Sequence, residues 1–162
     1  MLFLLPHRKQ KYITSIMKAI KIKEIFRSTC PVSSALDLFG DKWSLVITRE
    51  LVSYGERTFK DFTQINEKIS TARLSDRLRK LEYLGVLTKS NHPTNKKVFL
   101  YNLTNKGMDL APIIAEYFIW SSKYLNDHIS EDSKIMAEKL KNDRDGTLNE
   151  IMNSHKFKNV EK

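Results

Sequence analysis

Apolar residues recur every three or four positions between residues 31 and 66, which predicts three amphipathic helices. The first is predicted over residues 31–39, the second from Asp41 to Gly55 and the third from Phe59 to about Asn66. Pro31 suits the first turn of a helix. Thr58 with Asp61 three residues later has the spacing of a capping box, which satisfies unpaired N–H groups at a helix start. These helices are expected to supply part of one core.

The most regular pattern lies between Ser70 and Gly85. Four leucines, Leu74, Leu78, Leu81 and Leu84, recur at helical spacing and form a single stripe. Ser70 is a favourable residue before a helix, and glycine is favourable after one. The pattern therefore predicts a helix over residues 71–84 whose leucines face the core and whose opposite face is polar.

After Gly85 the period changes from that of a helix to that of strands. Residues 86–89 and 98–103 are predicted to be two strands around a polar loop, residues 90–97, that contains Pro93. Thr104 is predicted to cap a fifth, longer helix to about His128, and Ser130 a sixth to about Lys141. The fold class is therefore mainly α with a small β-hairpin, in the order α-α-α-α-β-β-α, with N- and C-terminal extensions.

Composition divides the chain into three parts. Residues 1–27 form a basic N-terminal extension, residues 28–128 a single domain, and residues 129–162 a polar, partly helical C-terminal extension. In the first part Ile13, Ile16, Met17 and Ile20 have helical spacing and could supply a contact between subunits. Met17 is also an alternative start to Met1.

The positive charge is concentrated along the chain. The 162 residues carry 28 Lys and Arg against 19 Asp and Glu, a net charge of +9, which favours a polyanionic partner such as nucleic acid or an anionic membrane. Residues 70–97 alone hold seven basic residues against Asp76 and Glu82. The excess charge thus coincides with the predicted basic helix and hairpin.

A short helix, a turn, a basic helix and a hairpin together indicate a winged helix-turn-helix, in which the basic helix enters the major groove of double-stranded DNA. The residues predicted to contact DNA are Ser70, Thr71, Ala72, Arg73, Ser75, Asp76, Arg79 and Lys80 on the helix, and Asn95, Lys96 and Lys97 on the wing. Asp76 has two interpretations: it accepts from cytosine, or it pairs with Arg73 or Lys80 on its own helix, which we favour. The alternative for the whole set is a solvated helix face.

The predicted fifth helix is apolar around more of its circumference than one core can cover. Ile113, Tyr117, Trp120 and Tyr124 are therefore expected to form the interface of a homodimer. A two-fold dimer places two recognition helices about 34–36 Å apart, so the operator is expected to be an inverted repeat.

The residues of an enzyme active site are missing from the sequence. Four scattered histidines do not build a metal site, and the single cysteine, Cys30, excludes a disulfide within the chain and a zinc site built from cysteines. No nucleophile-elbow or phosphate-loop pattern occurs. We therefore expect no enzymatic activity, no metal, no cofactor and no membrane span, and a cytoplasmic location.

Five segments resemble the HxlR-type family of bacterial winged helix-turn-helix regulators. They are Cys30-Pro31-Val32, Gly40-Asp41-Lys42-Trp43, residues 57–62, residues 69–82 and residues 101–107, and the resemblance covers roughly residues 28–125. It implies a dimeric cytoplasmic transcription regulator with residues 71–84 as recognition helix and the hairpin as wing. It also implies a role for Cys30, because several members use the cysteine at this position to sense electrophiles or oxidants.

Three alternatives to these interpretations stay open. Cys30 lies at a helix N-terminus, where unpaired N–H groups make cysteines reactive, but it could equally be an inert small residue. A winged helix can also serve as a protein- or RNA-interaction module. An enzyme with Cys30 as nucleophile is the third alternative, although no histidine accompanies it in its motif. The sequence indicates neither the operator nor the inducer.

Overall fold

The computed structural model describes residues 26–158, which fall into two compact units that meet between Asp41 and Lys42. The first unit contains one described helix, α1 (Pro31–Phe39), with Pro31 in its first turn as predicted. The predicted N-terminal helix pattern around Met17 lies outside the described residues.

A local ion pair stabilises the first unit. Arg27 Nε lies 2.5 Å from Asp37 Oδ1, and the Arg27 backbone N–H donates to the other carboxylate oxygen at 3.0 Å. The backbone hydrogen bond, followed by the guanidinium, holds the pKa of Asp37 below its usual value. These two contacts hold the segment before α1 against the helix.

The second unit contains seven described helices and three strands. They are α2 (Lys42–Tyr54), β1 (Arg57–Thr58), α3 (Phe59–Thr63), α4 (Thr71–Tyr83), β2 (Leu87–Asn91), β3 (Phe99–Leu103), α5 (Asn105–Met108), α6 (Ala111–Tyr124), α7 (Glu131–Asn142) and α8 (Arg144–Lys158). The strands form an antiparallel sheet in the order β1-β3-β2. The described fold is mainly helical with a small sheet, as the hydrophobic pattern predicts.

The core of this unit lies between α2 and α4. Leu74, Leu78 and Leu81 of α4 are buried as the leucine stripe predicts, and Ile47 and Leu51 of α2 are buried too. Phe62 of α3 is also buried, with its ring edge toward Tyr101 of β3 at a centroid distance of 6.1 Å. The core therefore fixes α4 through its leucine face and leaves its opposite face in solvent.

The hairpin is extended by a strand that the sequence analysis missed. β1 pairs with β3 through Arg57 opposite Tyr101 and Thr58 opposite Leu100. Two residues are too few to show an alternating pattern, so β1 exists only through its pairing with β3. Thr58 has a second role, because its capping box with Asp61 is present as predicted.

Two predicted helices have different bounds in the structure. The third ends at Thr63 rather than near Asn66, and residues 64–70 form the turn before α4. The single long helix predicted from Thr104 to His128 is wrong, since the structure has α5 and α6 with a break at Asp109 and Leu110. Pro112 explains the break, because it has no N–H to donate to Met108 and its ring would clash with that carbonyl in a continuous helix.

Two helices of the C-terminal extension pack against the domain. Ser130 caps α7 through a bond from Ser133 N–H to its hydroxyl at 3.3 Å, as predicted. α8 was not predicted, because its sequence has almost no apolar stripe. Its Leu148 joins Leu140 of α7, Ala111 and Ala115 of α6 and Val52 of α2 in one buried cluster. α6 therefore has one face covered by the extension.

Candidate DNA-binding surface

The N-terminal half of α4 presents an open, small-residue surface. Ser70 is the N-cap residue as predicted, but its hydroxyl makes no capping hydrogen bond. Thr71, Ala72, Arg73 and Ser75 are all exposed. A helix N-terminus with exposed N–H groups and a nearby hydroxyl can bind a phosphate, and small side chains allow close approach to base edges.

Asp76 and Arg79 form an exposed ion pair one turn apart. The Asp76 Oδ1 to Arg79 Nη1 distance is 4.0 Å, and the two side chains are 69% and 77% exposed. The sequence favoured a pair of Asp76 with Arg73 or Lys80 on its own helix, and the structure shows a pair on that helix with Arg79. An ion pair as exposed as this one contributes little to stability. The Arg79 guanidinium can therefore leave Asp76 for a nucleic acid with little loss of free energy. Lys80, farther along α4, is only partly exposed.

The C-terminal end of α4 is held by bonds that the sequence pattern does not show. The helix ends in a Schellman arrangement: Val86 N–H donates to Leu81 C=O, and Gly85, at φ +70°, donates to Glu82 C=O. Lys106 Nζ donates to Leu84 C=O at 2.9 Å, where its charge also opposes the negative end of the helix dipole.

The residue before α5 completes the same junction. The Thr104 hydroxyl donates to Gly85 C=O at 2.7 Å and accepts from Gly107 N–H at 3.1 Å. The first contact joins residues 19 positions apart and does not follow from a local pattern, whereas the second is the cap predicted at Thr104. The C-terminal end of α4 is thus bonded to the segment that leads into α6.

The wing loop between β2 and β3 is closed by its own hydrogen bonds. His92 N–H donates to Val98 C=O, and Val98 N–H to Asn95 C=O, both at 2.9 Å. The Asn95 side-chain oxygen accepts from Lys97 N–H at 3.1 Å. The side-chain oxygen of Asn95 therefore stabilises the turn, and the N–H₂ group of the same side chain is the group suited to a phosphate. Lys96 and Lys97 are exposed at this tip.

Lys89 adds a cation to the wing that the sequence analysis did not select. Its ammonium lies 3.9 Å from the centroid of the Phe99 ring, across β2 and β3.

At the base of the wing Tyr101 is buried, and burial, with the negative charge of Glu82, raises the pKa of its hydroxyl. The wing is a cationic hairpin closed by its own contacts.

A charge network supports the turn before α4. Arg49 of α2 donates to Glu67 of the turn and to Glu50 of its own helix, both at 2.6 Å. The hydrogen bond from Arg49 holds the pKa of Glu67 below its usual value. Glu50 is mostly buried and also faces Arg57 at 3.7 Å. These pairs hold the segment that enters α4 against α2.

α6 carries a stripe of exposed apolar side chains. Ile113, Tyr117, Trp120 and Tyr124, the predicted interface residues, are between 41% and 59% exposed and lie on one face. The Trp120 and Tyr124 rings pack together with centroids 5.2 Å apart. The opposite face contains the buried residues Ala111, Ile114 and Ala115.

Cys30 lies at the N-cap of α1 in the first unit. Its side chain is exposed, and its backbone N–H donates to the Ser28 hydroxyl at 3.2 Å. Its own C=O accepts from Ser34 N–H at 2.9 Å, the first bond of the helix. The thiol is therefore open to reagents in solution.

Among residues 26–158, no three His, Cys, Asp or Glu side chains gather as metal ligands would. Over that same range, no helix has the length and apolar character that crossing a membrane requires.

The short α3, the turn, the outward-facing α4 and the three-stranded wing define a winged helix-turn-helix DNA-binding protein. The chain belongs to the HxlR-like helix-turn-helix family, whose match spans residues 38–129 and so more than half of the chain. The family resemblance found in the sequence is confirmed. Proteins of this family are transcriptional regulators and not enzymes, and this chain is a DNA-binding transcription regulator.

Relatives and solved structures of similar proteins agree with this membership. The HTH-type transcriptional regulator YodB of Bacillus subtilis (strain 168) is 30% identical over 108 residues, 65% of this chain and 96% of YodB. YdeP of the same organism is 33% identical over 95 residues, 59% of this chain and 73% of YdeP. The oxidized form of the redox regulator HypR is similar with a TM-score of 0.53 and 28% identity, covering 58% of this chain and 96% of HypR. Reduced YodB gives 0.50 and 30%, covering 60% and 95%.

Proposed function

We propose that this chain acts in the cytoplasm as a homodimeric repressor that reads an inverted-repeat operator with α4 in the major groove. The observation that carries the proposal is the outward face of α4, where small exposed residues at the N-terminus are followed by Arg79. Arginine can fork onto guanine, and small residues admit the backbone to the groove. Lys96 and Lys97 at the wing tip are exposed and suited to phosphate contacts.

Binding measurements on variants test the two roles. Arg73→Ala and Arg79→Ala should each reduce the preference for operator over random duplex, by about 1–3 kcal/mol for a base-reading arginine. Lys96→Ala with Lys97→Ala should weaken binding to every duplex and lower the salt slope by about one unit per lysine. Lys139→Ala, an exposed lysine of α7, is the matched control. Fluorescence anisotropy at two salt concentrations measures both effects.

The same assay separates DNA reading from other uses of the fold. An RNA duplex of equal length should bind more weakly than operator DNA, because its deep, narrow major groove does not admit a helix. Equal affinity for RNA and operator, or unchanged binding in every α4 and wing variant, would overturn the proposal.

The exposed stripe of α6 supports the dimer. A contiguous aromatic surface of this kind is typical of an interface. Sedimentation should give twice the 18.9 kDa of one chain, and Tyr117→Asp with Trp120→Asp should give a monomer. Ile135→Asp is the control, because Ile135 on α7 is 53% exposed like Tyr117 but lies outside the stripe. A dimer that survives the double substitution would place the interface elsewhere.

The proposed regulation by oxidants acts through Cys30. Two Cys30 thiols of a dimer would give up two protons and two electrons to an oxidant such as diamide, which is reduced to its hydrazine, as an S–S bond forms between subunits. The exposure of the thiol and the similarity to the redox regulator HypR support this step. A disulfide between subunits would change the spacing of the recognition helices and weaken operator binding.

A further inference from the structure

A cavity lies on the face of α6 away from the aromatic stripe. Its volume is about 860 Å³, and its walls are α2, the turn before α4, α6, α7 and α8. Small-molecule sites in proteins span roughly 300–1,000 Å³. The two helices of the C-terminal extension, beyond the family match at residues 38–129, complete the enclosure. The cavity is thus a feature that this chain adds to the winged helix.

The floor of the cavity is apolar. α6 contributes Ala111 and Ala115, whose small side chains leave room that a larger residue would fill. Phe118, Met136 and Leu140 line the remainder. A hydrocarbon or aromatic body placed against these side chains would leave water for an apolar floor, which is favourable by about 25 cal/mol per Å² buried.

The rim of the cavity has an excess of negative charge. Arg49 lies on the rim, but it is already bound to Glu67 on the rim and to Glu50 behind it. Asp132, in the first turn of α7, adds an exposed carboxylate. Among the lining residues, the carboxylates of Glu67 and Asp132 therefore face one guanidinium, that of Arg49, with the imidazole of His128 also in the wall. The local balance is negative, although the chain as a whole carries +9. The local charge favours a cationic ligand over an anionic one.

We infer that this cavity binds a lipophilic organic cation, with its apolar body against α6 and its charge beside Asp132 and Glu67. The position of the site suits a regulatory ligand. Asn66 and Glu67 in its wall belong to the turn that leads into α4, and α6 carries the proposed dimer stripe on its other face. This regulatory part of the inference rests on the proposed function, whereas binding itself does not.

Two ions of matched shape and opposite charge test the binding. Tetraphenylphosphonium and tetraphenylborate are titrated into the full-length protein in sodium buffer and followed by calorimetry. The cation should bind at least ten times more tightly, against the net positive charge of the protein. Equal binding of both ions, tighter binding of the anion or no binding of the cation would each overturn the inference.

Variants locate the bound cation. Ala115→Leu should raise the Kd of tetraphenylphosphonium at least tenfold by filling the cavity. Because Ala115 is buried, thermal unfolding of this variant is measured alongside. Asp132→Asn, on the surface, should raise the Kd about threefold, as expected for one charge roughly 6 Å away in a watery environment. Glu131→Gln is the matched control, since Glu131 is exposed in the same helical turn but does not line the cavity. Equal effects of Asp132→Asn and Glu131→Gln, or no effect of Ala115→Leu in a folded protein, would refute the assigned site.

The regulatory part has a separate readout. Saturating tetraphenylphosphonium should change operator affinity at least threefold in the wild type and not in Ala115→Leu. An unchanged affinity for operator, with the cation bound, would refute the coupling while leaving the site. Failure of the protein to bind any operator would instead count against the proposed function, and the calorimetry would still decide the site.

Discussion

Gly107→Ala should destabilise the protein strongly, because Gly107 lies against the backbone of Val86, just beyond the C-terminal end of α4. A Cβ at this position would lie 2.1 Å from the Val86 carbonyl oxygen and 2.8 Å from Leu103 Cδ2. Both distances are far inside van der Waals contact, and a backbone oxygen cannot rotate away. The same oxygen accepts from the Thr104 N–H at 3.0 Å, and it shares the single proton of the Thr104 hydroxyl, at 3.1 Å, with Gly85 C=O. Relief of the clash must therefore move Val86 and weaken these bonds.

The size of the effect follows from three contributions. Overpacking a well-packed site costs about 1–3 kcal/mol. Weakening two hydrogen bonds costs about 1 kcal/mol each. Replacing a helical glycine by alanine stabilises the helix by about 1 kcal/mol, which offsets part of this loss. The free energy of unfolding should therefore fall by roughly 2–4 kcal/mol, the sum of these three terms.

Urea unfolding with the variant Gly85→Ala as reference measures this difference. Gly85 has φ +70° and nothing within 4 Å of its would-be Cβ, so alanine there meets only the left-handed backbone cost of about 1–2 kcal/mol. Gly107→Ala should have the lower urea midpoint of the two. A Gly107→Ala protein as stable as Gly85→Ala would refute the assigned close approach.

Three further outcomes are expected. Lys106→Met should lower the free energy of unfolding by about 0.5–1.5 kcal/mol through loss of the bond to Leu84 C=O, and urea midpoints unchanged from wild type would contradict this cap. Glu67→Gln should destabilise at pH 7. Because Arg49 holds the pKa of Glu67 below its usual value, the stability from this pair is present above the usual pKa and is lost as the pH falls through the lowered one, so wild type and variant should converge in acid urea titrations. Diamide should weaken operator binding of the wild type but not of Cys30→Ser, and equal loss in both proteins would remove Cys30 as the switch.

The sequence predicts best those elements whose determinants are local. The leucine spacing of α4 and the caps at Thr58 and Ser130 depend on residues within one or two turns, and the structure confirms all three. Pro112 was also a local signal, and the long fifth helix was predicted in spite of it. The sequence therefore contained the signal for the break before α6, and the prediction of one continuous helix gave Pro112 too little weight.

The elements that the sequence analysis missed depend on distant partners. β1 is two residues long and is defined by its pairing with β3. The bond from Lys106 to Leu84 C=O joins residues that are 22 positions apart. α8 has scarcely any apolar stripe, yet Leu148 reaches the cluster on α6. Such contacts follow from the packing of whole elements, which helix and strand periods alone do not specify.

The position of α6 explains how one signal could reach the DNA surface. Its first residues follow α5, and the junction around Thr104 and Lys106 bonds directly to the backbone at the end of α4. Under the proposed function, a ligand under one face of α6 or a subunit against the other would act on the C-terminal end of α4, away from the N-terminus that we propose reads DNA. Because α4 is a single rigid helix anchored by buried leucines, a small rotation at that end moves the exposed residues at the other. The ion pair of Arg49 with Glu67 ties the turn before α4 to α2, so both ends of α4 are bonded to neighbouring elements. Under the proposed function, a rotation of α4 would have to strain both connections.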